Sequence, residues 1–138
     1  MQHIFSKSDK EYLDGFRNAI LDLSTFHHEQ HLLITYTLLI ENSMEDSYKS
    51  IKKGILGILN SVGADVSKYH ETMTYGWVLI VKYFMNNTKE CKNFGEFISL
   101  NKILLDTNIL YKHYSKELIN SEKARLETLA PDIKKIEI

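Results

Sequence analysis

The near absence of proline is the feature that most constrains how this chain folds. Its single proline, Pro131, stands close to the carboxyl end of the 138 residues. Proline removes a backbone N–H and clashes with the preceding turn, so it interrupts helices and central strands alike. A chain that avoids proline, and whose apolar residues recur at helical spacing, is typical of an all-α protein. We predict one helical domain over residues 1–138, a bundle of about four longer helices with short C-terminal helices.

Four segments in the first two thirds of the chain carry this helical periodicity. The first follows a loose lead-in over residues 1–7, and Ser8 and Glu11 have the spacing of a capping box. The second is apolar on most of its surface, which indicates a central position. The third ends before Gly63, a suitable C-terminal cap. The second, third and fourth helices are predicted over 26–41, 44–61 and 70–85, and we expect the second and fourth to be the longest.

The last third of the chain carries shorter periodic segments. They predict helices over 94–100 with an extension towards 105, then over 107–114, 115–119 and 121–129. No alternating apolar pattern is long enough to predict a pair of strands.

Composition excludes several classes of protein. A formal net charge of -1 gives no general basic character for binding nucleic acid. Cys91 is the only cysteine, so no internal disulfide forms, and this favours a cytoplasmic location. No apolar run approaches the roughly 20 residues of a membrane span, and the first ten residues lack the apolar core of a signal peptide. These observations predict neither nucleic-acid nor membrane partners and leave a homo-oligomer open.

Four of the six histidines occupy two short windows, residues 26–32 and 69–72. Residues three or four apart share a helix face, so His31 pairs with His28 or, at the other spacing, with His27. His70 and Glu71 stand at the start of another predicted helix. If the two helices pack side by side at these ends, three imidazoles converge on one cavity with a carboxylate at its edge.

Two kinds of site are consistent with this cluster. Nitrogen and oxygen ligands from two helices suit a divalent transition metal such as zinc, iron, manganese or nickel. The metal ligands would be His28, His31, His70 and Glu71. In a catalytic version a metal-bound water attacks the substrate and Glu71 is a ligand or base, so enzymatic activity stays open. A site for a small-molecule ligand would use the same four residues together with Tyr69 and Thr74.

The alternative is a non-catalytic helical module that binds a protein partner, with structural histidines. Imidazoles at helix starts commonly bond backbone groups, and a glutamate in a first turn is favoured by the helix dipole alone. Isolated His3 and His113 are interpreted as surface residues. The lysines at 49, 52 and 53 are interpreted as a solvated face, and Cys91 lacks a neighbouring base that would make it a nucleophile.

Two motifs give the chain a resemblance to a known group of proteins. The pattern Phe-x-His-x-x-His-Leu is formed by Phe26, His28, His31 and Leu32, and Tyr-His-Glu-Thr-x-Thr runs from Tyr69 to Thr74. With these motifs the chain resembles a group of small bacterial all-helical proteins over about residues 26–133. The resemblance implies no particular activity. It favours His28 over His27 as the partner of His31.

Overall fold

Four helices of 11 to 18 residues form the body of the protein in the computed structural model, which describes residues 2–138. They are α1 (Lys7–Arg17), α2 (His28–Glu41), α3 (Met44–Ser61) and α4 (Glu71–Asn86). The remaining helices are short: α5 (Phe94–Leu100), α6 (Lys116–Ile119) and α7 (Glu122–Leu126). No strand occurs within residues 2–138. The prediction of an all-α bundle with four longer helices and short C-terminal ones is confirmed.

Four 3-10 turns connect these helices. They cover Leu23–Thr25, Val66–Lys68, Lys102–Leu105 and Thr107–Lys112. The last two replace the continuous helical segments expected before and after residue 106. Asp106 ends one turn and caps the next by accepting the Asn108 N–H at 2.9 Å, which breaks the helix between them.

Helix ends differ from the predictions where a different residue caps the helix. α1 begins at Lys7, because Ser6 accepts the Asp9 N–H and Asp9 accepts the Ser6 N–H in a reciprocal capping box. The longest helix is α3, with 18 residues against 14 for α2 and 16 for α4, so the expectation about the longest helices is wrong. Gly63 has φ +68°, as a C-terminal cap of α3 requires.

The core forms around α2, whose residues from Ile34 to Leu39 are all buried. One cluster of buried apolar side chains extends from Leu13 on α1 to Ile136 near the carboxyl end. At the crossing of α1 and α3 the ring of Phe16 lies directly against Gly54. A Cβ at Gly54 would stand 2.2 Å from that ring, so only glycine permits this approach.

Residues 2–7 are bound to the bundle, which corrects the predicted loose lead-in over 1–7, of which Met1 lies outside the described residues. The Ile4 N–H donates to the Cys91 carbonyl at 2.9 Å, and the Tyr36 hydroxyl donates to the Ile4 carbonyl at 2.8 Å. His3 is buried, with 9% of its surface exposed, so its interpretation as a surface residue is wrong. Both nitrogens of its ring form hydrogen bonds with backbone groups of the interior, and these bonds offset the cost of burying a polar side chain.

The length and apolar character of the helices decide whether any of them could span a membrane. None of those within residues 2–138 combines the length and the apolar character that crossing a bilayer requires.

Candidate functional site

A cavity of about 450 Å³ opens where the N-terminal ends of α2 and α4 meet. We call it the histidine cavity, because its wall contains His27, His28, His31 and His70. The other lining side chains are mostly apolar or aromatic: Phe26, Ile55, Lys68, Tyr69, Met73, Thr74, Trp77, Thr107, Leu110 and Tyr111. Five of the six residues predicted for the site therefore line one space, and only Glu71 is absent from its wall.

His28 connects α2 to the turn at Lys102–Leu105. Its Nε2 donates to the Leu104 carbonyl at 2.8 Å, and its ring lies edge-on to Trp77 with the centroids 4.6 Å apart. One nitrogen of this imidazole is thus used in holding the C-terminal half of the chain against α2.

His70 is the N-cap of α4 and uses both of its ring nitrogens. Nδ1 accepts the Met73 N–H at 3.1 Å, and Nε2 donates to the Ile119 carbonyl at 2.8 Å. This pattern requires a neutral ring protonated on Nε2. The side chain thereby caps one helix and attaches α6 to it, which is a structural role.

His31 differs from both, because its ring forms no hydrogen bond with any residue of the described chain. It lies in the cavity wall, edge-on to Phe26 with the ring centroids 6.4 Å apart. Burial, and secondarily the neighbouring His28, lowers the pKa of His31 to about 4. Near neutral pH the ring is therefore uncharged and offers one donor and one acceptor.

Glu71 belongs to a separate cluster on the side of α4 that contacts α3. Its carboxylate accepts from the Tyr48 hydroxyl and the Lys52 ammonium, and from the Tyr69 hydroxyl at 3.4 Å. Burial raises the pKa of this carboxyl, while the charge of Lys52 acts against that shift by favouring the ionised form.

The sequence interpretation missed Tyr48 and placed Lys52 on a solvated face. A usable signal was present, since the two residues are four apart and flank the buried Ile51 on the same side of α3. That face contacts α4, which brings both side chains to Glu71.

Tyr69 and Thr74 line the cavity, yet each is also held by a local bond. The Thr74 hydroxyl donates to the His70 carbonyl at 2.8 Å. Burial raises the pKa of Tyr69 to about 12, so its phenol stays protonated and donates to Glu71. Tyr69 thus separates the histidine cavity from the Glu71 cluster and touches both.

The donor set of the cavity fits a metal poorly. His70 has no free nitrogen, and Glu71 is directed to Lys52 and Tyr48. Throughout residues 2–138 there is no group of three or more His, Cys, Asp or Glu side chains that could hold a metal ion. The four predicted metal ligands therefore do not converge on one point within the described residues.

Comparison of the chain with known proteins found no match. No family model matches the chain, and no curated protein and no solved structure matches it. The resemblance to small bacterial helical proteins therefore stays a prediction.

Proposed function

We propose that the protein binds a small aromatic molecule through a neutral polar group, such as a hydroxyl, in the histidine cavity. The observation that carries the proposal is the imidazole of His31, which lies in the wall of a mostly apolar cavity and has no hydrogen-bond partner among residues 2–138. The ring is half-buried in the cavity wall, so water reaches its nitrogens, and a ligand hydroxyl would replace that water with a hydrogen bond worth a net of about 0.5–1.5 kcal/mol.

The dimensions and lining of the cavity support an organic ligand. Its volume of about 450 Å³ lies within the range of known small-molecule sites, roughly 300–1,000 Å³. Trp77, Tyr111 and Phe26 supply flat aromatic surface to its wall. Aromatic rings pack edge-to-face or offset against such surfaces, which favours a ring-containing ligand.

The low pKa of His31 determines which polar group can occupy its side of the cavity. A carboxylate would bind best to a charged imidazole. Protonating a group of pKa about 4 at pH 7 costs about 4 kcal/mol, however, which disfavours a carboxylate beside His31. A hydroxyl needs no such protonation, because it donates to the unprotonated nitrogen or accepts from the other. The inner end of the ligand is therefore uncharged.

Titration with phenol and with toluene, followed by NMR of the backbone amides, tests the proposal. We expect both probes to shift the resonances of residues lining the cavity, with phenol binding about tenfold more tightly because of one buried hydrogen bond. In His31→Leu the preference for phenol should disappear, while toluene binding remains.

His113→Leu is the matched control, because His113 lies outside the cavity and bonds the Lys134 carbonyl. It should keep the preference for phenol. If neither probe shifts the cavity resonances of the unmodified protein, the proposal is wrong, and the partner-binding module becomes the better interpretation.

A further inference from the structure

We infer that the ligand of the histidine cavity also carries a carboxylate at its outer end, where Lys68 binds it. This inference rests on the proposed function and names the class of ligand: a hydroxyaryl carboxylic acid with its hydroxyl directed inwards.

The charges around the cavity favour an anion. Among the described residues that line it, Lys68 carries the only full positive charge, and there is no aspartate or glutamate. A concave apolar site with charge of one sign concentrates the field of that charge and raises the local concentration of the opposite ion. The cavity therefore favours an anionic ligand over a cationic one.

Lys68 is also available for this role. It is an exposed residue at the end of the Val66–Lys68 turn, and its ammonium forms no ion pair with any carboxylate of residues 2–138. The nearby carboxylate of Asp65 attracts the Lys68 ammonium without forming a direct ion pair with it, and it is held within the turn because it accepts the Ser67 N–H at 2.9 Å.

The two long helices that begin at the cavity add to its positive potential. The N-terminal end of a helix carries a partial positive charge, and both α2 and α4 start at residues of the cavity wall. At α4 the ring of His70 accepts a backbone N–H, and at α2 the Gln30 side chain accepts the backbone N–H of His27 at 3.1 Å. The helix ends thus act in the same direction as Lys68.

The positions of the polar groups determine the orientation of the ligand. His31 is half-buried and suits a hydroxyl, so the carboxylate belongs beside Lys68, which is exposed to solvent. The aromatic ring then lies between them against Trp77 and Tyr111. A single six-membered ring with a short acidic side chain occupies less than the cavity volume of about 450 Å³.

The test compares three probes of one shape: 4-hydroxyphenylacetate, its methyl ester and tyramine, which are anionic, neutral and cationic. By NMR titration at low salt, we expect the acid to bind about fivefold more tightly than the ester, the effect of a favourable charge pair near a surface. Tyramine should bind more weakly than the ester. Raising the salt concentration should reduce the advantage of the acid, because exposed charges are screened.

Lys68→Met should remove most of the difference between acid and ester while leaving the affinity for phenol unchanged. Lys53→Met is the matched control, since Lys53 is exposed on α3 and does not line the cavity, and it should keep the difference. If phenol binds and the acid binds no better than the ester, or the advantage survives in Lys68→Met, the inference is wrong and the proposed function stands. If neither phenol nor the acid binds, both are wrong.

Discussion

His3 and His31 both lie within the helical bundle, yet their rings differ in hydrogen bonding. Nε2 of His3 donates to the Met85 carbonyl at 2.8 Å, and its Nδ1 accepts the Cys91 N–H at 3.3 Å. The ring of His31 has no such bond to the described chain and faces a cavity. The isolated histidine is thus a structural residue, whereas His31, from the cluster, has no hydrogen-bond partner within residues 2–138.

The difference shows that grouping in the sequence does not determine the role of a histidine. Within the cluster, His70 resembles His3, since both rings accept one N–H and donate to one carbonyl. What separates His31 is the absence of a backbone partner within reach in the described structure. The variants below are expected to separate the two types of histidine, in order of decreasing effect.

His3→Ala should have the largest effect, a loss of about 3–4 kcal/mol in the free energy of unfolding. The substitution leaves the buried Cys91 N–H without a partner, at about 1–3 kcal/mol, and removes one of two donors from the Met85 carbonyl, which keeps the Thr88 N–H at 3.5 Å. It also removes edge contacts with the rings of Tyr36 and Phe97. Urea denaturation followed by circular dichroism measures the loss. Gln2→Ala, at the exposed neighbour, is the control, and a loss below about 1 kcal/mol in His3→Ala would contradict the structural role.

The burial of His3, which the sequence did not predict, shows which parts of the fold a sequence can specify. α3 begins and ends where the sequence predicted and α5 begins where it predicted, because the N-caps Ser43 and Asn93 are local signals. The bonds of His3 join residues 82 and 88 positions apart, and no local pattern encodes them. Helix periodicity predicted that the cavity histidines lie close together. It could not predict which of their nitrogens form hydrogen bonds with carbonyls that are distant in the sequence.

His31 should lower the stability of the folded protein as the pH falls. Its folded-state pKa of about 4 lies below the ordinary 6.5, so between these values the unfolded chain takes up a proton that the folded protein excludes. Stability is therefore lost as the pH falls from about 6.5 towards 4. His31→Leu lacks this proton uptake, so we expect its stability relative to the unmodified protein to improve by about 2 kcal/mol between pH 7 and about pH 4.5. Urea denaturation at both pH values measures the change, and an unchanged difference would mean that the ring is not shielded from water.

His70→Ala should cost about 2 kcal/mol of stability at pH 7. It removes the cap of α4, worth about 1 kcal/mol, and leaves the Ile119 carbonyl without its donor. His70→Asn provides the comparison, because asparagine caps helices well but is too short to reach a distant carbonyl, and it should restore about half of the loss. If His70→Asn is as unstable as His70→Ala, the capping bond contributes little.

His27→Asp should have the smallest effect and the opposite sign. His27 precedes α2 in extended backbone and is exposed, and its imidazole is not one of the short side chains that cap helices best. Aspartate at this position can accept a first-turn N–H and carries a charge that suits the positive helix end, so we expect a gain of about 0.5–1 kcal/mol. The same charge at the cavity wall should weaken binding of 4-hydroxyphenylacetate more than binding of its methyl ester. His27→Asn, which caps without the charge, should raise stability and leave the preference between acid and ester unchanged. Denaturation and NMR titration of the two variants measure both effects, and a loss of stability in both would show that His27 is, like His3 and His70, bonded after all.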